Sequence, residues 1–152
     1  MTATNTANGC YSYSQLYYNE PLDSYIQYAH KVLSEKSGWN YKPLIKGSFG
    51  YDNLAVSIGH MLEKYTPDQP YDTYASLIHE GWSINYLYWR DHLPGHNNPE
   101  LYISPYTPLG DERRNQCAET CYEMLTEEEK TKDLIIANAV VDYANKSKEK
   151  KL

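Results

Sequence analysis

The pattern that decides the fold lies in residues 72–92, which read DTYASLIHEGWSINYLYWRDH. Large side chains recur there at intervals of three and four residues, the spacing of one face of a helix. The members of this face are Tyr74, Leu77, Ile78, Trp82, Asn85, Tyr86 and Trp89. Because Pro94 and Gly95 follow, we expect a long aromatic helix that begins at Asp72 and ends near His92.

Two helices are predicted upstream of this stretch. The first follows Asn19, a suitable N-cap, and ends at Gly38, a typical C-cap residue. The second is predicted to begin at an Asp52 N-cap. It should end before Pro67, because the residue that precedes a proline resists helical dihedral angles.

Two more helices are predicted downstream. A short one covers Asp111–Met124. The last begins after Thr126, because Glu129 stands three residues later, which is the spacing of a capping box. No strand longer than a few residues is indicated, so the expected fold class is mainly α, with long loops rich in Tyr and Pro.

Length and charge define the organisation and exclude some partners. The chain has 152 residues, the size of one domain. We expect an irregular Tyr-rich arm over residues 1–18, a helical domain over 19–145 and a charged tail over 146–152. The net charge of −6 argues against a nucleic-acid duplex as partner. Without an apolar run of membrane length or a signal peptide, no membrane partner and a cytoplasmic location are expected.

The residue types of a catalytic or metal centre do not stand at the required spacings. The pair His79-Glu80 opens like a zinc-protease motif, but position 83, where the second His belongs, is Ser83. Cys117 and Cys121 lack a second cysteine pair, so small buried core thiols are expected. The sequence therefore predicts no catalytic residue, no metal site and no cofactor, although a nucleotide hydrolase stays open as an alternative.

The aromatic composition favours ligand binding instead. The chain contains 17 Tyr and 1 Phe, which predicts half-exposed rings at a pocket rim or at an interface. On the long helix, His79, Trp82, Tyr86 and Arg90 follow one another at intervals of three and four residues. This line offers rings for stacking and a guanidinium for an anionic group. The remaining predicted ligand-binding residues are Trp39, Tyr41, Tyr102 and Tyr106. The alternative is that Trp82 and Tyr86 belong to the core and that Arg90 lies at its rim.

Four short segments resemble the RyR domain, the repeat first described in ryanodine receptors and also found in small bacterial and phage proteins. They occur in the family's order and are YTPDQPYDT (65–73), HEGW (79–82), SPY (104–106) and LTEEEKTKD (125–133). The family's GWxYG segment does not follow HEGW here, and residues 107–124 are an insertion. The resemblance implies a module that binds a nucleotide-derived molecule without turning it over. It carries over His79, Trp82, Pro105 and Tyr106.

These observations predict a non-enzymatic module that binds a small nucleotide-derived ligand. If the chain is phage-encoded, the module would sequester a host nucleotide signal in the host cytoplasm. The alternative is a protein-interaction or assembly factor that uses its Tyr-rich surfaces, since Tyr is favoured at interfaces. A homo-oligomer is compatible with both hypotheses.

Overall fold

The computed structural model describes residues 20–46, 48–92 and 112–150, and within these residues every regular element is a helix. This confirms the mainly helical fold class. The elements are α1 (Glu20–Ser37), α2 (Phe49–Glu63), α3 (Tyr71–His92), α4 (Glu112–Ala118), a 3₁₀ turn (Tyr122–Met124) and α5 (Glu127–Lys150). The predicted arm, residues 1–18, lies outside the described residues.

The four long helices pack as a ring in which each contacts two others. The order of neighbours around it is α1, α2, α3, α5 and back to α1. Between α2 and α3, Asn53 contacts Asn85 at 3.5 Å and His60 contacts Glu80 at 2.6 Å. A later residue of α2 thus meets an earlier residue of α3, so these two helices are antiparallel.

The core fills the inside of this ring. Each long helix contributes a fully buried aliphatic residue, namely Ile26, Ile58, Ile78 and Val140. Burying a side chain of this size contributes about 1.5–3 kcal/mol, so the apolar stripes account for the association of the helices. Among the helices described, none combines the length and the apolar character needed to cross a bilayer.

Two predicted helix ends are confirmed. Gly38 has a φ of +74°, the left-handed conformation that lets a glycine end a helix. At the start of α5, the backbone N–H of Glu129 donates to Oγ1 of Thr126 at 3.3 Å. The side chain of Thr126 therefore satisfies one of the N–H groups that the first turn leaves open.

The predicted start of α2 is wrong. Its N-cap is Ser48, whose Oγ accepts the backbone N–H of Tyr51 at 3.2 Å. The N–H of Asp52 already donates to the carbonyl of Ser48 at 2.9 Å, so Asp52 lies inside the first turn. An acidic residue suits that turn as well as the cap, because the helix dipole favours negative charge there. The sequence pattern alone therefore does not show whether Asp52 is the N-cap or lies in the first turn.

The downstream boundaries also differ from those predicted. The helix expected over residues 111–124 is divided into α4 and the 3₁₀ turn, with Cys121 extended between them. α5 continues through the predicted tail as far as Lys150. Near this end Lys146 pairs with Asp142 at 3.3 Å, one helical turn earlier, and donates to the Tyr28 hydroxyl of α1 at 3.1 Å. These contacts extend the helix where composition alone predicted fraying.

Candidate functional site

A cavity of about 290 Å³ opens between the ring of long helices and α4. Its apolar wall continues the core and is formed by Leu33, Leu54, Ile78, Leu125 and Ile136. All five helices contribute at least one side chain to the lining. A concave, mostly preformed space with few polar groups is the usual form of a small-molecule site.

The aromatic wall of the cavity is part of the predicted line on α3. His79 and Trp82 both line it, and their rings stack with centroids 6.0 Å apart and planes 27° apart. Tyr86 packs against Trp82 in a tilted arrangement, with centroids 5.2 Å apart, and is buried in a small cluster with Ala118. Trp82 therefore presents a supported ring to the cavity, while Tyr86 belongs to the core.

The cavity also has a cationic edge, formed by three basic side chains of the lining. Arg113 and Arg114 reach it from α4, and Lys132 reaches it from α5. Glu129 also lines this edge and forms an ion pair with Arg113. The three cationic side chains outnumber the acidic ones of the lining, although the whole chain has a net charge of −6.

Asp133 is the other acidic residue of the lining, and its carboxyl is mostly buried. Burial, with a smaller contribution from the charge of Glu129, raises the pKa of Asp133 to about 7, and Lys132 partly opposes this. The carboxyl is therefore neutral in a large fraction of molecules at neutral pH. Because Asp133 is partly neutral, it offsets less of the positive charge of the cationic edge than a fully ionised carboxylate would.

His79 is held in one tautomer by the segment after α4. Its Nε2 lies 2.6 Å from the carbonyl oxygen of Thr120, and a carbonyl only accepts, so Nε2 carries a proton. Nδ1 faces Asp133 Oδ2 at 3.6 Å, which is within ion-pair range but too long for a hydrogen bond. The side chains of His79 and Asp133 are only 7% and 16% exposed. The two groups form a buried acid–base pair at the inner end of the cavity.

With Ser83 on one side of His79 and Asp133 on the other, the three side chains are arranged as in a Ser-His-Asp catalytic triad. Its Oγ lies 3.3 Å from Nε2 of His79. Activation of the hydroxyl would require Nε2 to accept its proton, but that nitrogen already donates to Thr120. The arrangement therefore orients His79 and does not activate Ser83.

The cysteines are only partly as predicted. Cys117 is half-buried and lines the cavity, and burial raises the pKa of its thiol. A raised pKa disfavours the thiolate, which is the nucleophilic form. Cys121 is exposed, so its predicted burial is wrong, because it follows the end of α4 instead of continuing that helix. In the part of the chain that the structure describes, no three His, Cys, Asp or Glu side chains form a cluster able to hold a metal ion.

Arg90 contacts α4 and the residue after it in the chain. Its Nη1 donates to Asn115 Oδ1 at 3.3 Å and lies 3.6 Å from Glu119 Oε2, while Nε donates to Asp91 at 3.0 Å. Arg90 is not among the lining residues. Its predicted contact with a ligand stays a prediction.

Trp39 and Tyr41, two further predicted ligand residues, are not among the residues that line the cavity. Trp39 and Tyr41 lie in the connection between α1 and α2, where Trp39 is 55% exposed and Tyr41 packs against the ring of His30. Tyr102 and Tyr106 lie outside the described residues. Of the six predicted residues that the structure describes, only His79 and Trp82 line the cavity.

Sequence reasoning missed the cationic edge. The chain contains three arginines, and two of them are the adjacent Arg113 and Arg114, which was the available signal. Lys132 and Asp133 gave no such signal, because a Lys-Asp pair on a helix is usually solvated.

The chain matches no family model, no curated protein and no solved structure. The resemblance to the RyR domain therefore stays a prediction.

Proposed function

We propose that this protein binds a small anionic molecule with a flat ring, a nucleotide or nucleotide derivative, and does not transform it. The observation that carries the proposal is one cavity with an aromatic wall at Trp82 and three cations, Arg113, Arg114 and Lys132, at its edge. Aromatic faces stack on nucleobases, and guanidinium groups match the geometry of phosphate oxygens.

The size of the cavity favours a mononucleotide over a larger ligand. At about 290 Å³ it stands at the lower end of the range for ligand pockets, about 300–1,000 Å³. A dinucleotide would need a wider opening. Binding without turnover also fits the chemistry of the site, since His79 is committed to Thr120 and the Cys117 thiol disfavours ionisation. The free thiols of Cys117 and Cys121 fit a reducing cytoplasm, where sequestration of a nucleotide signal would take place.

Thermal unfolding in the presence of nucleoside monophosphates tests the proposal. A ligand that binds only the native state raises the melting temperature in proportion to its concentration over Kd. We expect Arg114→Gln to weaken binding about tenfold or more, the scale of losing a charge-assisted contact to phosphate. The matched control is Lys64→Gln, which removes a positive charge from the exposed C-cap residue of α2.

The proposal requires the two variants to differ. If no nucleotide raises the melting temperature at millimolar concentration, or if Arg114→Gln and Lys64→Gln bind as the wild type does, the cavity is not an anion site.

A second candidate function is protein interaction, favoured by the connection between α1 and α2. There Trp39, Tyr41 and Ile45 expose large side chains within seven residues of chain. Aromatic side chains of this kind are enriched at interface centres. Light scattering after size exclusion tests it: an oligomer that Trp39→Ser dissociates supports this function, and a monomeric wild type without partner disfavours it.

A further inference from the structure

The proposed function leaves Asp133 without a role, although this carboxyl lines the same cavity as the three cations. The side chain of Asp133 is only 16% exposed. The positive charge of Lys132, the preceding residue, favours the carboxylate, whereas burial and the charge of Glu129 favour the protonated form. The ionisation of Asp133 therefore depends on a charge that an anionic ligand at the cationic edge would offset.

His79 adds a second reason for Asp133 to hold a proton. Nε2 of His79 donates to the carbonyl of Thr120 at 2.6 Å, so a neutral ring turns the lone pair of Nδ1 toward Asp133. The distance from Nδ1 to Oδ2 of Asp133 is 3.6 Å. A lone pair and a carboxylate oxygen repel each other at this distance, and protonation of the carboxyl removes the repulsion.

Other titratable and charged groups line the cavity with Asp133 or interact with its charge. Two of them, a thiol and a phenol, have a pKa raised by burial, so they stay largely neutral up to pH 8.5. Within the described part of the chain, the lining residues from α1 and α2 carry no charge. The groups are Arg113, Arg114 and Cys117 of α4, Tyr122 of the 3₁₀ turn, and Glu129 and Lys132 of α5.

A bound anion shifts this balance toward the protonated carboxyl. A volume of about 290 Å³ corresponds to a sphere about 8 Å across, so an anion in the cavity lies within about one Debye length of the lining charges at physiological ionic strength. Its negative charge disfavours a carboxylate nearby. A phosphate that pairs with Lys132 also offsets the charge that favours the ionised form of Asp133.

Resting on the proposed function, we propose that binding of the anionic ligand is coupled to the uptake of one proton from solvent by Asp133. The proton stays on the carboxyl while the ligand is bound. By linkage, a ligand that favours the protonated carboxyl binds more weakly where that carboxyl is ionised in the free protein. The pKa of Asp133 is about 7 without ligand, so the affinity should fall as pH rises above 7.

Calorimetric titration with adenosine and guanosine 5′-monophosphate tests the coupling. At pH 8 in Tris and in HEPES, the enthalpy of binding should depend on the buffer, because the buffer supplies the proton. We expect the uptake of about half a proton or more per ligand at pH 8, and an affinity about fivefold lower at pH 8.5 than at pH 7. The nucleotide phosphate is largely dianionic at pH 7 and above, so its own titration does not weaken binding in this range.

Asp133→Asn replaces the carboxyl by a neutral side chain of similar shape. This variant should take up no proton and should bind equally well at pH 7 and pH 8.5. A second neutral variant, Asp133→Ser, should behave in the same way, which guards against a folding defect of the first. The matched control is Asp142→Asn, an exposed position on the same helix outside the cavity, which should keep the proton uptake and the pH dependence of the wild type.

The number of protons is measured per bound ligand, so a general loss of stability does not mimic the result. Binding by the wild type without proton uptake overturns this inference and leaves the proposed function intact. Proton uptake that persists in Asp133→Asn or in Asp133→Ser does the same, since another group would then hold the proton. Failure of both nucleotides to bind the wild type overturns the inference and the proposed function together.

Discussion

One buried carboxyl contributes to the way in which the stability of this protein depends on pH. Asp133 has a pKa of about 7 in the folded chain, above its ordinary value, because burial disfavours the charged form. The unfolded chain ionises this group near pH 4, so between about pH 4 and pH 7 the native state holds more protons. Stability is therefore lost as pH rises through this window, and the loss is complete above the folded pKa. A rise of this pKa from about 4 to about 7 corresponds to at most about 4 kcal/mol.

We expect Asp133→Asn to be more stable than the wild type at pH 8 and similar to it at pH 4. Urea unfolding at both pH values measures the difference. The control is Asp142→Asn on the same helix, where the Tyr28 hydroxyl and Lys146 lower the pKa of the acid, so the substitution should bring no gain at pH 8. Equal stability of Asp133→Asn and the wild type at pH 8 would show that the burial of this carboxyl costs nothing.

Gly81 sets the distance between α2 and α3. A Cβ at this position would lie 2.8 Å from Cβ of His60 and 3.0 Å from the carbonyl oxygen of Val56. Helix propensity alone would make Gly81→Ala stabilising by about 1 kcal/mol. We expect instead a net destabilisation of about 1–3 kcal/mol, because the helix backbones must separate.

Chemical denaturation of Gly81→Ala beside Gly50→Ala tests this. At Gly50 the nearest atom is the end of the flexible Leu44 side chain at 3.3 Å, so that variant should unfold near the wild-type midpoint. A Gly81→Ala protein as stable as the wild type would mean that the two helices do not meet closely at this position.

At the scale of elements, α5 depends on its N-terminal cap. Thr126 accepts the N–H of Glu129, and removing such a cap costs about 1 kcal/mol. Thr131 lies inside the same helix and returns its hydroxyl to the carbonyl of Glu127 at 2.7 Å. We expect Thr126→Ala to destabilise the protein by about 1 kcal/mol and Thr131→Ala to be neutral or stabilising, because Ala is the better helix former. Thermal unfolding of the two variants decides; equal melting temperatures would contradict a role for the cap.

The helices could be predicted from the sequence where local chemistry determines them. The helix α3, the glycine at 38 and the cap at Thr126 depend on residues close in the chain, and the structure places each as predicted. The start of α2 and the break after α4 were not predicted, because more than one residue there is suited to begin or to end a helix. Tertiary contacts make that choice, so periodicity does not show it.

At the scale of the whole molecule, the same difference between local chemistry and tertiary contacts explains how much of the candidate site could be predicted from the sequence. His79 and Trp82 were found because they share one face of one helix. The cationic edge joins α4 to α5, and no local pattern predicts which helices meet. Two members of the predicted line on α3 contact other parts of the protein: Tyr86 lies in a buried cluster and Arg90 donates to Asn115 of α4.

α4 supplies part of the cavity lining, so the cavity depends on the stability of this short helix. α4 has only seven residues, and its most extensive contact with another helix is the one with α3. A helix this short does not persist without tertiary contacts. Arg90 supplies such contacts through Asn115 and Glu119, so Arg90→Ala should raise hydrogen exchange in α4 by about tenfold or more and leave α1 and α5 close to their wild-type rates. Mass spectrometry of exchanged peptides measures this, with Lys64→Ala as the charge-matched control.

Because α4 carries Arg113 and Arg114, ligand at saturating concentration should reverse the change. Unaltered exchange of α4 in Arg90→Ala would show that other contacts hold it, and a uniform increase across all helices would show that Arg90 stabilises the whole domain rather than this wall of the cavity.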